Sequence, residues 1–201
     1  MSLSFLVALV WVFLARELEP PGERLSMALR VTARWSFLWF FLASTSGALA
    51  RIFGSRFQSL ATRSRDFGLT FASAHLAHVG LVVWLLLTSD KPFSRPLLGF
   101  FAVGVFFVYL LALLSLSSPL RSALGPRMWR IVRTVGTEYI AFTFLAEFAV
   151  KSRQPGAANF FVYLPFVLLS LAGPLLRVAA FLKRCLESKG PGRMPRQISL
   201  P

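Results

Sequence analysis

The chain has 201 residues, of which 56% are hydrophobic and 15% are charged, and its mean hydropathy is +0.65. An ordinary soluble domain is about 45–50% apolar and about 25% charged, so one soluble core could not bury this much apolar surface. The net charge of +14 comes from 22 basic and 8 acidic residues. These basic residues flank apolar runs and are not interleaved with a soluble aromatic surface, which argues against a nucleic-acid partner.

Six apolar runs follow one another along the chain. They cover residues 2–15, 31–53, 67–88, 97–118, 128–150 and 160–182. Five of them are close to the ~20 residues that a helix needs to cross a ~30 Å hydrocarbon core. Lipid offers no hydrogen-bond partner to a bare backbone, so each run is predicted to be helical. We therefore expect an all-α membrane protein with a bundle of about six transmembrane helices.

The first run is shorter than the others and fits either a short membrane helix or a signal peptide. Residues 1–4 carry no basic side chain, and Phe13 lies where cleavage after Ala15 needs a small residue, which favours an uncleaved helix. Three regions result. Residues 1–30 hold the first helix and an outer loop, residues 31–184 form the helical bundle, and residues 185–201 are a flexible basic tail.

Basic residues are distributed unevenly between the two ends of the predicted helices. The second and fourth connections and the tail contain thirteen: Arg51, Arg56, Arg63, Arg65, Arg121, Arg127, Arg130, Arg133, Lys183, Arg184, Lys189, Arg193 and Arg196. The other three connections contain eight. The positive-inside rule then places the thirteen in the cytoplasm, next to anionic lipid. We expect a multi-pass protein of the inner (plasma) membrane, with the lipid bilayer as its partner and with both termini cytoplasmic.

The third run contains the two histidines of the chain, His75 and His78. They are three residues apart and so lie on one helix face. Neutral imidazole in an apolar bundle is a good ligand for haem iron. Alternatively, each histidine forms a hydrogen bond to a carbonyl or hydroxyl group and holds two helices together. No Cys, Asp or third His accompanies them in the run, so a zinc site is not predicted.

The fifth run contains three ionisable residues, Arg133, Glu138 and Glu147. Arg133 is expected to reach the cytoplasmic headgroups. Glu147 is expected to pair with Lys151 or Arg153 near the opposite end. Glu138 has no partner in its own helix, so it is either protonated or meets a histidine of the third helix. An ionisable residue in a membrane helix is costly when it faces lipid, so we expect the third and fifth helices to be neighbours.

Short segments of the middle of the chain follow a known pattern. Arg65 is followed by Phe67-Gly68-Leu69 and, after an apolar stretch, by His78; the others are residues 43–48, 112–116 and 124–129. Through these segments the region from Arg34 to about Val150 resembles the ferric-reductase-like transmembrane domain. That family includes ferric reductases, the membrane part of NADPH oxidases and the haem-binding subunit of a bacterial methionine-sulfoxide reductase. The resemblance implies a membrane helical scaffold that carries haem and transfers electrons.

Two departures from the family pattern concern the haem ligands. At the positions where the family has fifth-helix histidines, this chain has Arg133 and Ala146. A guanidinium group stays protonated and is no haem ligand. The resemblance thus implies one haem b at most, held by His78, with His75 orienting it or replacing it as ligand. The flavin and nicotinamide domain of larger members is absent, so an external redox partner or partner subunit would supply electrons.

Three functions follow from these residues. The first is a membrane electron-transfer component with residual haem binding through His78. The second is a haem-free scaffold or partner subunit on the same fold. The third is a small transporter or proton path that uses Glu138. The sequence contains no phosphate-cradling glycine loop, nucleophile elbow or HExxH motif.

Overall fold

The computed structural model describes residues 4–10, 13, 23–89, 93–154 and 157–189. Within these ranges the chain is helical and contains no strand, which confirms the all-α prediction. In chain order the helices are α1 over residues 4–10, α2 Arg24–Phe53, α3 Ser64–Thr88, α4 Arg95–Leu116, α5 Ser118–Ser152 and α6 Ala157–Lys189. A 3-10 turn, Gly54–Phe57, and a short helix, Gln58–Thr62, connect α2 to α3.

Four of the described helices are long and apolar enough to cross a bilayer: α2, α3, α4 and α6. The sequence predicted about six. Helix α5 is long enough, but its membrane-length stretch includes Arg130, Arg133 and Glu138, which lower its hydropathy. The described part of α1 has seven residues, which rise only about 10 Å. The four helices are consistent with a helical membrane protein, as the sequence predicts. They do not confirm that six helices cross the membrane.

Helix α5 consists of two pieces. Gly125 has φ 76° and ψ 160°, a backbone conformation that breaks the helix and that side chains disfavour. Pro126 opens the longer second piece, where its missing N–H costs little. The first piece begins after Ser117, whose hydroxyl accepts a hydrogen bond from the Leu120 N–H at 3.4 Å. The long piece therefore coincides closely with the predicted run 128–150.

Helix α2 lies at the centre of the bundle and contacts α3 and α6 along its length. Its buried Phe37 packs edge-on against Phe144 and Phe148 of α5, with ring centroids 5.2 and 5.0 Å apart. Such edge-to-face pairs stabilise beyond the area they bury. The core of the described bundle is thus aromatic, which accounts for much of the phenylalanine in the sequence.

Contacts between side chains give the direction of the first two long helices. Thr32 of α2 meets His78 of α3, and Phe40 meets Phe71. From the first contact to the second, the residue number increases on α2 and decreases on α3, so the two helices are antiparallel.

Helix α6 runs in the same direction as α2. Arg34 of α2 lies over the ring of Tyr163, and the Arg51 carbonyl accepts a hydrogen bond from Lys183 at 3.0 Å. Helix α5 runs against both, because Phe148 contacts Tyr163 while Glu138 contacts Arg177 further along α6.

The sequence predicts that the third and fifth helices, α3 and α5, are neighbours; in the structure they touch through side chains but are not packed along their lengths. They meet mainly through aromatic side chains, with Phe71 and His75 of α3 against Phe144 of α5 at 6.1 and 6.2 Å between ring centroids. Helix α2 packs closely on α3, and its Phe37 and Phe40 rings reach Phe144 of α5.

Two predicted end regions are described only in part. In α1, Ala8 is fully buried and Ser4 accepts a hydrogen bond from the indole N–H of Trp35 at 3.2 Å. The remainder of run 2–15, apart from residue 13, lies outside the described residues. At the other end α6 continues to Lys189, so the first five residues of the predicted tail are helical, and residues 190–201 lie outside the described part.

Candidate functional site

The histidine pair lies on α3 and faces α2 and α5. The His75 and His78 rings stack with centroids 5.5 Å apart and planes 29° apart. The Nδ1 atom of His78 is 3.0 Å from the Thr32 hydroxyl, which is also 2.7 Å from the Ala28 carbonyl oxygen. His78 therefore holds α3 to α2 through a hydroxyl group, as one of the two sequence interpretations proposed.

The surroundings of His75 show how much space there is for a haem between α3 and α5. The Nδ1 atom of His75 is buried and has no hydrogen-bond partner in the described structure. Its ring contacts Phe71 at 5.3 Å and Phe144 at 6.2 Å, and those two rings contact each other. Aromatic side chains thus occupy the space between α3 and α5 at the level of the histidines. As arranged, that space does not fit a porphyrin ligated from both helices.

A second polar region lies near the end of the bundle where α2 ends and α3 begins. It is a cavity of about 460 Å³ between α2, α3, α4, α5 and α6, and we call it the arginine cavity. Its charged lining residues are Arg65, Arg121, Arg130, Arg133, Arg177 and Glu138. Its hydroxyl-bearing residues are Ser44, Ser64, Ser115, Thr134 and Thr137, and its large apolar ones are Phe40, Phe71, Val108, Leu111, Trp129 and Ile140.

Glu138 forms an ion pair across the cavity with Arg177 of α6. The Arg177 Nε and Nη2 atoms each donate to a different Glu138 carboxylate oxygen at 2.8 Å. This two-point geometry is the strong form of an arginine–carboxylate contact. Of the two alternatives for Glu138, the contact with a histidine is not formed, because the Glu138 carboxylate is paired with Arg177 of α6. The Nη1 atom of Arg177 is buried and unpaired in the described structure.

The other four cavity arginines form no ion pair with a carboxylate among the described residues. The two described ion pairs are Arg177–Glu138 and the distant Arg51–Glu187. The lining therefore combines five guanidinium groups with one carboxylate, a formal excess of four positive charges. Such an excess in one cavity is electrostatically unfavourable unless solvent, ions or an anionic ligand offset it.

The remaining predicted site residues lie at opposite ends of α5. Arg133 lines the arginine cavity. Glu147 is half-buried near the other end and forms no ion pair with Lys151 or Arg153, contrary to expectation. Arg133 and Glu147 therefore belong to different regions of the bundle.

Two features were missed by reasoning from the sequence. The first is the convergence of Arg65, Arg121, Arg130 and Arg177, which come from three helices and can be brought together only by the register of the bundle. The second is Arg34, which is one of the eight basic residues counted with the first, third and fifth connections. Its guanidinium carbon lies 4.5 Å from the centre of the Tyr163 ring, a cation–π contact, and its Nε atom is buried and unpaired.

Comparison of the chain with protein-family models, with curated proteins and with solved structures finds no match.

Proposed function

We propose that this chain is a multi-pass membrane protein of the ferric-reductase-like type that acts as a haem-free scaffold or partner subunit. The observation that carries the proposal is the aromatic packing of Phe71, His75 and Phe144 between α3 and α5. Engagement of His78 with Thr32 adds support, since it gives that histidine a role in helix packing. A bound haem would supply electron transfer, and His78 would be the residue that held it.

The directions of the helices support a fifth crossing by α5. Successive crossings of a bilayer alternate in direction. If α2, α3, α4 and α6 alone crossed, α6 would run opposite to α2. The contacts Arg34–Tyr163 and Arg51–Lys183 instead make α2 and α6 parallel, which requires three crossings between them. We propose that α2 to α6 all cross, with the second and fourth connections in the cytoplasm of an inner-membrane protein. A sixth crossing by the first apolar run, and both termini in the cytoplasm, stay predictions.

The proton-path hypothesis is less well supported. Glu138 is held by Arg177, and His75 and His78 lie about one and about two turns of α3 beyond Phe71, the cavity-lining residue of α3 nearest to them in the chain. Phe71 joins the two regions, since it lines the arginine cavity and its ring lies 5.3 Å from the His75 ring, but a phenyl side chain cannot transfer a proton. A path built on Glu138 and the histidines would need groups that link them.

The absorption spectrum tests the proposed function. The full chain is expressed with a haem precursor and purified in detergent, and oxidised and reduced spectra are recorded for the wild type and for His78→Ala. We expect no stoichiometric b-type haem in either protein. A stoichiometric haem spectrum in the wild type that is lost in His78→Ala would replace the scaffold proposal with the electron-transfer function.

A further inference from the structure

We propose that the arginine cavity is a binding site for a phosphate-bearing anion. This inference goes beyond the scaffold function and does not depend on whether haem is bound. It begins with the charges. Arg65 of α3, Arg130 and Arg133 of α5 and Arg177 of α6 line one cavity that contains a single carboxylate, Glu138.

The chemistry of the lining favours phosphate. Guanidinium groups are planar forks that donate two hydrogen bonds to one phosphate, and several of them can share its oxygens. Hydroxyl groups of Ser64, Ser115 and Thr137 add donors on the same walls. A phosphate with one or two negative charges would offset part of the formal excess of four positive charges.

The arginine cavity is also the right size and has an apolar wall. Its volume of about 460 Å³ lies within the range of small-molecule sites, about 300–1,000 Å³. Phe71, Val108, Leu111 and Ile140 line it beside the arginines, so that a ligand with a charged head and an apolar body has a surface for both parts. Basic pockets between membrane helices recognise anionic lipid headgroups in this way. The same arginines would also hold free phosphate, and the shared chemistry is the phosphate group.

The Glu138 carboxylate pairs with Arg177, one of the five arginines, and so competes with an anionic ligand for the Arg177 guanidinium group. It takes two donors of Arg177, while Nη1 of Arg177 is left buried and unpaired. A phosphate that enters the arginine cavity would meet the Glu138 charge. Replacing that charge with a neutral amide, in Glu138→Gln, should therefore raise the affinity for the anion, while loss of arginines should lower it.

The test uses the full chain in detergent, as wild type, Arg130→Gln/Arg133→Gln, Glu138→Gln and the control Arg127→Gln. Arg127 lies on α5, is exposed and does not line the arginine cavity. In the lipid arm, retention of phosphatidylglycerol and of phosphatidylcholine is compared by native mass spectrometry. In the second arm, inorganic phosphate is titrated calorimetrically into delipidated protein.

Preferential retention of phosphatidylglycerol assigns the site to a lipid headgroup, and saturable binding of inorganic phosphate assigns it to the free anion. In either case we expect at least a tenfold loss in Arg130→Gln/Arg133→Gln, a severalfold gain in Glu138→Gln and no change in Arg127→Gln. Thermal unfolding without ligand checks that each variant is folded, and the gain in Glu138→Gln does not depend on the double variant. Equal binding of both probes by all four proteins, or no binding by any, overturns the proposal.

Discussion

At the residue scale, buried hydroxyl groups in the described bundle are satisfied mainly within their own helices. Thr45 donates to the Phe41 carbonyl at 2.6 Å, and Ser170 to the Phe166 carbonyl at 2.7 Å. Thr32 differs, because its hydroxyl lies within hydrogen-bond distance of a carbonyl of α2 and of His78 on α3. A polar contact between helices is thereby built from one threonine that is fully buried.

Replacing Thr32 with Val should destabilise the bundle by leaving His78 Nδ1 without its partner. Hydrogen bonds between membrane helices contribute about 1 kcal/mol, so we expect a loss of that order. The measurement is reversible unfolding in detergent micelles. Thr88→Val is the matched control, because Thr88 is exposed and bonds only to Trp84 of its own helix. Equal stability of the two variants would show that the Thr32–His78 contact contributes nothing.

Sequence reasoning at this scale predicted the kind of contact for His78 but not the partner of Glu138. A histidine in an apolar helix needs a carbonyl or hydroxyl group, and α2 is rich in them, so the contact follows from composition. The partner of Glu138 depends on how far α6 is shifted along α5. That register is set by packing around Phe148 and Tyr163, which residue spacing within one helix does not reveal.

At the scale of the helices, close approach of α4 and α5 depends on Gly136 and not on Gly104, where an added Cβ would make an ordinary van der Waals contact. A Cβ atom on Gly136 would lie 2.9 Å from the Phe107 ring and 3.1 Å from Leu111. On Gly104 it would lie 3.6 Å from the Thr143 hydroxyl. Small residues let membrane helices approach each other, so that van der Waals contacts replace the missing hydrophobic drive.

Gly136→Val should weaken the α4–α5 contact. The added side chain has no room beside Phe107, and overpacking of this kind costs about 1–3 kcal/mol. Gly99→Val on α4 is the control, since a Cβ there meets nothing within 4 Å. Thermal unfolding in detergent should show a lower midpoint for Gly136→Val alone. Similar midpoints would mean that α4 and α5 are not packed as described.

The helices extend beyond the apolar runs from which they were predicted. Helix α2 starts at Arg24 instead of residue 31, and α6 ends at Lys189 instead of residue 182. Hydropathy marks the part of a helix that lies in hydrocarbon, and the backbone continues its hydrogen bonds into the headgroup region. In the turns that α6 adds beyond its run, Glu187 forms an ion pair with Arg51 of α2 at 2.8 Å.

At the scale of the whole molecule, large apolar side chains cover much of the outside, and several charged ones line a cavity that is open to the surroundings. Trp84, Leu87 and Phe161 are 62%, 80% and 71% exposed, which suits contact with lipid tails. The arginines of the cavity explain why α5 is the least apolar of the five long helices. Its Arg130, Arg133 and Glu138 face the cavity, and its Phe144 and Phe148 pack into the aromatic core.

The proposed five-crossing bundle requires that α5 crosses the membrane in spite of its low hydropathy. Reporter fusions after Ser117 and after Gln154, which lie on either side of α5, test it directly. We expect the fusion after Ser117 to report the cytoplasm, like a reference fusion after Ser64, and the fusion after Gln154 to report the outside. If the fusions after Ser117 and Gln154 report the same side, α5 does not cross, and both the five-crossing bundle and the membrane placement of the arginine cavity are wrong.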